Sequence, residues 1–221
     1  VMARRQTKGR GRSGRAWTSD PGNLYASLLQ RLRCPPSAVH QLSLLAGVAV
    51  VDAVRDVAGS HPLPGLRLKW PNDVLIDGAK WAGILPESQH GGSSGEVVVV
   101  IGIGINLSSH PEDLGRPATH LAMHGISATP DAMLAALDGS MTRWLRAWDC
   151  GNGFAAVRAA WLERGGPVGE PVTVNTGAER TFGNFLGLDG DGALLLRDHM
   201  GNSRRVAYGD VSLGTAGGGQ D

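Results

Sequence analysis

Apolar residues recur along the first 166 residues with two different periods, which separate predicted helices from predicted strands. Residues 36–58 show the helical period, with Ser37 as a candidate cap. A second helix is predicted to begin at Pro130 behind the N-cap Thr129, and helical spacing continues over 154–163. Strands are predicted at 23–29, 66–68, 74–76, 81–85 and 96–107. The last of these is apolar almost throughout, which is typical of a strand covered on both faces.

The pattern changes from Pro171 onward, where short apolar runs alternate with turn residues. Strands are predicted at 172–174, 181–185, 193–196 and 204–207, with a turn over 188–192. A β-barrel of about 45 residues fits this pattern, and it is too small to be very stable alone. We therefore divide the chain into a first domain over 1–166, a second over 167–214 and a disordered tail over 215–221.

Three glycines and three arginines lie close together in residues 9–15, called the arginine loop below. Glycine lets a ligand approach the backbone, and arginine supplies planar charged donors for carboxylates and phosphates. The loop also fits the dinucleotide pattern G-x-G-x-x-G, and a strand is plausible over residues 1–5. However, no helix opens at the loop and no acidic residue follows at the required distance. The loop is predicted to bind an anion; the alternative is a solvated loop without a ligand.

A second polar segment interrupts the predicted strands near residue 71. Pro71 lacks an N–H group and must break the ladder, which leaves Asn72 and Asp73 at a strand end. The turn residues Asp77 and Gly78 then predict a hairpin. This hairpin would bring Lys80 back towards Asn72 and Asp73. The alternative is an edge-strand proline beside a surface lysine.

Composition and charge narrow the classes of protein that are expected. The chain has 221 residues, 42% hydrophobic content and a net charge of +1, which fits one or two globular domains and no nucleic-acid partner. Its two cysteines, Cys34 and Cys150, lack metal-binding or redox spacing and fit a cytoplasmic location. His120 and His124 have helical spacing without a partner acid or thiol, so no metal site is predicted. No signal peptide or membrane span is expected.

Taken together, four segments resemble the biotin protein ligase family. They are residues 6–15, 69–73, 80–85 and 102–107, in the family's order and with its spacing between Asp73 and Lys80. The resemblance implies an α+β fold with a mixed β-sheet catalytic domain and packed helices. This is the biotin–lipoate ligase fold, related to class II aminoacyl-tRNA synthetases. It also implies an SH3-like β-barrel at the C-terminus.

The chemistry implied by the resemblance has two steps. ATP, accompanied by Mg²⁺, and biotin give biotinyl-5′-AMP and pyrophosphate, and a lysine of a biotin carboxyl carrier domain then attacks this adenylate. The implied catalytic residues are Lys80, Asp73 and Arg12, with Lys80 bridging the biotin carboxylate and α-phosphate. The implied biotin-binding residues are Gln6, Gly9, Arg10, Gly11, Arg12, Lys80 and Gly83. The implied ATP- or adenylate-binding residues are Arg12, Arg15, Trp17, Lys69, Asn72, Lys80 and Asn106. The long loop 108–125 is expected to order over the adenylate.

The chain also departs from the family's pattern. A Ser-Thr-Asn segment that contacts biotin is usual upstream of Val1, Pro86 replaces an aliphatic residue, and Gly214 replaces an arginine of some members. No winged-helix DNA-binding domain is expected, and a homodimer is left open. The alternatives are a lipoate or octanoate ligase and a non-catalytic biotin-binding protein. Because Lys80 and Asp73 are both present, the enzyme is favoured.

Overall fold

The computed structural model describes residues 1–90, 96–112 and 115–214, which form two β-sheets and three α-helices. The first sheet contains β1 Met2–Ala3, β2 Leu24–Leu32, β3 Arg67–Lys69, β4 Asp73–Ile76, β5 Ala79–His90 and β6 Val97–Ile105. The helices are α1 Gln41–Ala58, α2 Pro130–Trp148 and α3 Phe154–Arg164. The second sheet contains β7 Pro171–Asn175, β8 Arg180–Leu188, β9 Leu194–Arg197, β10 Ser203–Val206 and β11 Asp210–Leu213.

The strands of the first sheet follow the order β1-β2-β6-β5-β4-β3, and each ladder between them is antiparallel. A parallel element appears as an isolated bridge between Lys80 and Ala118. Along β6, residues such as Val99 and Ile101 are buried, while Val98 and Val100 between them are only half-buried. The prediction that this strand is covered on both faces is therefore wrong. One face packs in the core, and the other lines a cleft.

Helix α1 supplies much of the core beneath the first sheet, because every residue from Gln41 to Val51 is buried. The predicted helix over 36–58 is split: Pro36–Ala38 form a short 3₁₀ turn, and the α-helix begins at Gln41. The segment Pro36–Ala58 could cross a membrane by length and composition alone. However, 83% of its most apolar window is buried within the protein, as in a core helix.

Helix α2 begins as the sequence predicts, with Pro130 in its first turn and Thr129 as its N-cap. The Thr129 hydroxyl accepts a hydrogen bond from the backbone N–H of Ala132 at 3.2 Å. Replacing Thr129 by alanine is expected to lower the free energy of unfolding by about 1 kcal/mol, because this N–H loses its acceptor. Urea denaturation of the two proteins measures the difference. Thr129→Ser keeps the oxygen and should retain most of the stability; an equal loss in both variants would contradict the cap.

The second sheet follows the order β10-β9-β8-β7-β11. Its last strand, β11, was missed by the sequence analysis and pairs antiparallel with β7. Two contacts tie the segments flanking this sheet's strands to β3 and to the residue after it: Arg67 forms a 2.7 Å ion pair with Glu170, and the Trp70 indole donates to the carbonyl of Gly192. The predicted domain boundary at 166/167 falls between α3 and β7 and stays a prediction. The predicted disordered tail lies outside the described residues.

Candidate active site

A cleft of about 1020 Å³ lies between the arginine loop, the first sheet and strand β11. The half-buried face of β6 forms part of its floor through Val98, Val100, Gly102 and Gly104. Strand β11 borders it from the second sheet. The cleft is therefore built by segments that are far apart in the sequence. Its charged and amide side chains include those of Lys8, Arg10, Arg12, Arg15, Lys69, Asn72, Asp73, Lys80, Glu87, Arg116 and Asp210.

The arginine loop folds back on itself through backbone hydrogen bonds. The Gly11 N–H donates to the carbonyl of Arg15 at 2.7 Å, and the Trp17 N–H donates to that of Gly9 at 3.0 Å. Ser13 and Gly14 adopt positive φ angles of 55° and 71°. Glycine takes up this left-handed conformation without steric strain, so one of the two positions is unstrained. This tight turn directs the arginine side chains of the loop towards the cleft.

Each of these arginines contacts an acceptor from another part of the chain. Arg12 donates to the Asn72 side chain at 3.3 Å and to the Gly209 carbonyl at 3.1 Å. Arg15 forms a 2.9 Å ion pair with Asp210, which also lies 3.4 Å from Arg12. Two guanidinium groups of the loop therefore converge on one carboxylate of β11.

Lys80 and Asp73 form a buried ion pair at the floor of the cleft, as the predicted hairpin requires. Their residues are 8% and 6% exposed. The Lys69 ammonium lies 3.0 Å from the same carboxylate, and Arg116 lies 3.9 Å away. The sequence prediction that Lys80 returns to Asp73 is confirmed. Three cations surrounding one anion leave an excess of positive charge.

A β-bulge places Lys80 and Gly83 on the same side of the sheet. Residues three apart, such as Lys80 and Gly83, point to opposite faces of a regular strand. Here the register between β4 and β5 shifts, so that Leu75 pairs with Lys80 while Asp73 pairs with Gly83. The extra residue is Trp81, whose buried indole donates to the Asn106 carbonyl at 2.8 Å. The bulge therefore brings both Lys80 and Gly83 to the cleft.

Burial and charge act together on the pKa values of this pair. Burial lowers the pKa of Lys80, because a cation is less well solvated there, and the charge of Asp73 opposes this effect. Burial would raise the pKa of Asp73, but the charges of Lys80 and Lys69 outweigh it and lower that pKa. Asp73 is therefore held as a carboxylate and is a weak proton acceptor.

The indole of Trp17 lies against the two glycines of the cleft floor. A methyl group at Gly104 would lie 2.6 Å from two carbons of this ring, and one at Gly83 would lie 2.9 Å from it. The Lys80 ammonium is 5.4 Å from the ring centroid, within the range of a cation–π contact. The Trp17 Nε1 is buried and lacks a hydrogen-bond partner within the described parts of the chain. The absence of a side chain at Gly83 and Gly104 therefore allows the Trp17 indole to lie close to the sheet.

Comparison with known proteins gives the family. Residues 1–106 match the biotin/lipoate A/B protein ligase family, and residues 168–214 match the biotin protein ligase C-terminal domain. The biotin–[acetyl-CoA-carboxylase] ligase of Paracoccus denitrificans is 40% identical over 208 residues, which cover 91% of this chain and 85% of that protein. The chain belongs to the biotin protein ligase family.

Other members of the biotin protein ligase family agree with this assignment. The biotin–[acetyl-CoA-carboxylase] ligase of Mycobacterium tuberculosis is 33% identical over 96% of this chain and 77% of that protein. The structure of the Aquifex aeolicus biotin protein ligase with biotin and ATP has a TM-score of 0.79 and 30% identity, covering 97% of this chain and 88% of that one. The resemblance and the α+β fold with an SH3-like C-terminal domain are confirmed.

Most of the residues predicted from the resemblance to biotin protein ligases lie on the cleft. Gly9 and Asn106 do not line it. Gly9 packs instead beneath Gln6 and Ser19, and Asn106 is buried, donating to the Thr119 carbonyl at 3.0 Å. Asn106 borders a small adjoining pocket together with Trp17 and Lys80. The residues that do line the cleft are Gln6, Arg10, Gly11, Arg12, Arg15, Trp17, Lys69, Asn72, Asp73, Lys80 and Gly83.

Sequence reasoning missed four charged residues of the cleft: Lys8 only lines it, and the other three contact predicted residues. Glu87 lies 3.3 Å from Arg10, Arg116 approaches Asp73, and Asp210 bonds the arginine loop. Arg116 belongs to the predicted loop 108–125, and the neighbouring Pro117 accepts a hydrogen bond from the Lys80 N–H. The length of loop 108–125 gave a reason to expect that it contacts the site. Nothing in the sequence indicated the contact of Asp210 with the arginine loop.

The histidines do not form a metal site in the described parts of the chain. His110 and His120 share a 2.7 Å hydrogen bond between their Nδ1 atoms, and His124 bonds Thr119. Across residues 1–90, 96–112 and 115–214, no three histidine, cysteine or acidic side chains are placed to hold a metal ion.

Proposed function

We propose that this protein joins biotin to a lysine of a biotin carboxyl carrier domain through biotinyl-5′-AMP. The carrier domain would belong to a biotin-dependent carboxylase. We also propose a cytoplasmic location without a nucleic-acid or membrane partner, and we leave a homodimer open. The observation that carries the proposal is the convergence of Lys80, Arg12 and Arg15 on one cleft, on whose floor the Trp17 indole packs against Gly83 and Gly104.

The first step joins two anions, the biotin carboxylate and the α-phosphate of Mg²⁺-bound ATP. A carboxylate oxygen attacks the α-phosphorus, and the bond to the departing pyrophosphate breaks. Lys80, Lys69 and the loop arginines offset the repulsion and stabilise charge in the transition state. Lys80 is best placed to bridge the two groups, because it lies at the cleft floor beside Gly83. The carboxylate of Asp73 keeps its ammonium in position.

The second step transfers biotin to the carrier. The lysine amine attacks the acyl carbon of the adenylate, the bond to AMP breaks, and AMP leaves. Asp73 is already bonded to Lys80 and Lys69, and its pKa is lowered. These contacts favour a role in orienting Lys80 and the incoming amine over a role as the base. No covalent enzyme intermediate is needed.

The proposal is tested by incubating the protein with Mg²⁺, ATP and biotin and measuring biotinyl-AMP and pyrophosphate. Lipoate and octanoate are tested in parallel, and a carrier domain is then added to detect its biotinylation. Adenylate is expected to form with biotin and not with lipoate or octanoate. Adenylate with lipoate or octanoate alone would identify a lipoate ligase, and calorimetric binding of biotin without adenylate would identify a non-catalytic binding protein.

Gly104 provides a test of the cleft floor. Gly104→Ala is expected to weaken biotin binding about tenfold, or about 1.4 kcal/mol, because its methyl group would lie 2.6 Å from the Trp17 indole and push that ring into the cleft. Calorimetry measures the affinity. Gly102→Ala is the matched control: it lies two residues away on the same face, and its methyl would make an ordinary 3.4 Å contact with the Leu85 carbonyl. Equal loss in both variants would show that close approach is not specific to Gly104.

Asp210 is expected to compete with the phosphates of ATP for the loop arginines. Asp210→Asn should lower the apparent KM for ATP about fivefold or less, because exposed ion pairs contribute at most about 1 kcal/mol. The KM for biotin should not change. The difference should shrink as salt is added. A higher KM for ATP in this variant would show instead that Asp210 holds the arginines in their productive positions.

A further inference from the structure

The chain has two free cysteines, and both pack against the core rather than the cleft. Cys34 follows strand β2 and is 6% exposed. Cys150 lies in the 3₁₀ turn Asp149–Gly151 between α2 and α3 and packs, partly buried, against the same core. Burial raises the pKa of Cys34, and the neighbouring Cys150 raises it further. Neither cysteine lines the cleft.

Contacts that do not involve sulfur hold the two segments together. The Trp148 indole donates to the Gln41 side chain at 2.7 Å. A methyl group at Gly151 would lie 3.1 Å from the Cβ of Ala38. Residues on both sides of Cys150 therefore pack against residues that follow Cys34, so the two segments that carry the cysteines are neighbours in the fold.

The backbone at Cys150 is left-handed, at the end of helix α2. Cys150 has φ 53° and ψ 29°, and Asp149 before it has φ 43°. These left-handed conformations are uncommon for residues other than glycine and are retained when the surroundings impose them.

We propose that Cys34 and Cys150 form a reversible redox-modification site. A low-molecular-weight disulfide oxidises them to an intramolecular disulfide, which links the segment before α1 to the α2–α3 connection and stabilises the fold. This proposal does not depend on the proposed ligase activity. It concerns the rear of the first sheet rather than the cleft.

The exchange balances in two steps. The thiolate of Cys150, the more exposed of the two, attacks the small disulfide and releases one small thiol. The thiolate of Cys34 then attacks the sulfur of Cys150 in the mixed disulfide and releases the second. The small disulfide accepts two electrons and leaves as two thiols, and the protein loses two thiol hydrogens as protons.

Incubation of the whole chain with oxidised glutathione tests this site. Thiol titration after denaturation is expected to show loss of both thiols, and non-reducing peptide mapping should find a Cys34–Cys150 link without retained glutathione. Dithiothreitol should restore both thiols. The oxidised protein should unfold at a higher urea concentration than the reduced one, because the link restricts the unfolded chain.

Single-cysteine variants provide the controls. In Cys34→Ser, glutathione should remain attached to Cys150, and in Cys150→Ser, the buried Cys34 should stay unmodified. The proposal is overturned if both wild-type thiols remain free, if glutathione stays on wild-type Cys150, or if the link forms only between two molecules. An oxidised protein that unfolds at the same or a lower urea concentration would overturn its stabilising role.

Discussion

Replacing Lys80 by methionine is expected to lower the rate of biotinyl-AMP formation by about 10² to 10³, the typical cost of losing one preorganised group that stabilises transition-state charge. Methionine keeps the length of the side chain but removes the ammonium that faces the cleft floor. Asp73 still lies 3.0 Å from Lys69 and 3.9 Å from Arg116, so we expect the variant to fold. The rate is measured from pyrophosphate release.

Two further variants test whether the activity depends on the charge of residue 80 or on the place of that charge in the cleft. Lys80→Arg keeps the charge but carries it on a wider group, and we expect it to recover only part of the activity. Lys8→Met removes a cation that also lines the cleft but has no proposed role, and it should behave as the wild type. If Lys80→Met and Lys8→Met had the same small effect, Lys80 would not bridge the reacting groups.

The hairpin that presents Lys80 could be predicted because its signals are local. Asp77 and Gly78 have φ angles of 49° and 79°, as a tight hairpin turn requires, and both residue types favour that conformation. The contact of Lys80 with Asp73 follows from that turn. The bulge at Trp81 could not be predicted, because a regular alternation would place Lys80 and Gly83 on opposite faces. Burial of the large indole against Asn106 decides the register.

Contacts with the second sheet could not be predicted from the sequence, for a different reason. Strand β11 has only four residues, and its place beside β7 depends on how the whole sheet is completed. Asp210 reaches the arginine loop only after that pairing, across most of the length of the chain. The face of β6 was misread because a run of valines and isoleucines is equally suited to a core and to an apolar cleft floor. Short-range patterns specify elements but not which surfaces meet.

Asp73 should be the residue of the site on which folding depends most. Asp73→Asn is expected to lower the free energy of unfolding at neutral pH by about 3 to 5 kcal/mol, because it leaves Lys80 buried without its counterion. Asp77→Asn is the matched control. It changes an exposed aspartate in the same hairpin, at a positive φ that asparagine also tolerates. Urea denaturation of the three proteins gives the comparison.

The pH dependence of the free energy of unfolding shows whether loss of the Asp73 charge causes the loss of stability. The pKa of Asp73 in the folded protein lies below its ordinary value of 3.8, so the folded state favours the ionised form. The stability that it contributes is therefore complete above that value and is lost as the pH falls through the lowered pKa. The wild type should lose its advantage over Asp73→Asn in that acidic range, while Asp77→Asn should follow the wild type. A difference that stays constant with pH would mean that the asparagine disrupts packing, and that the charge of Asp73 does not hold Lys80 in the cleft.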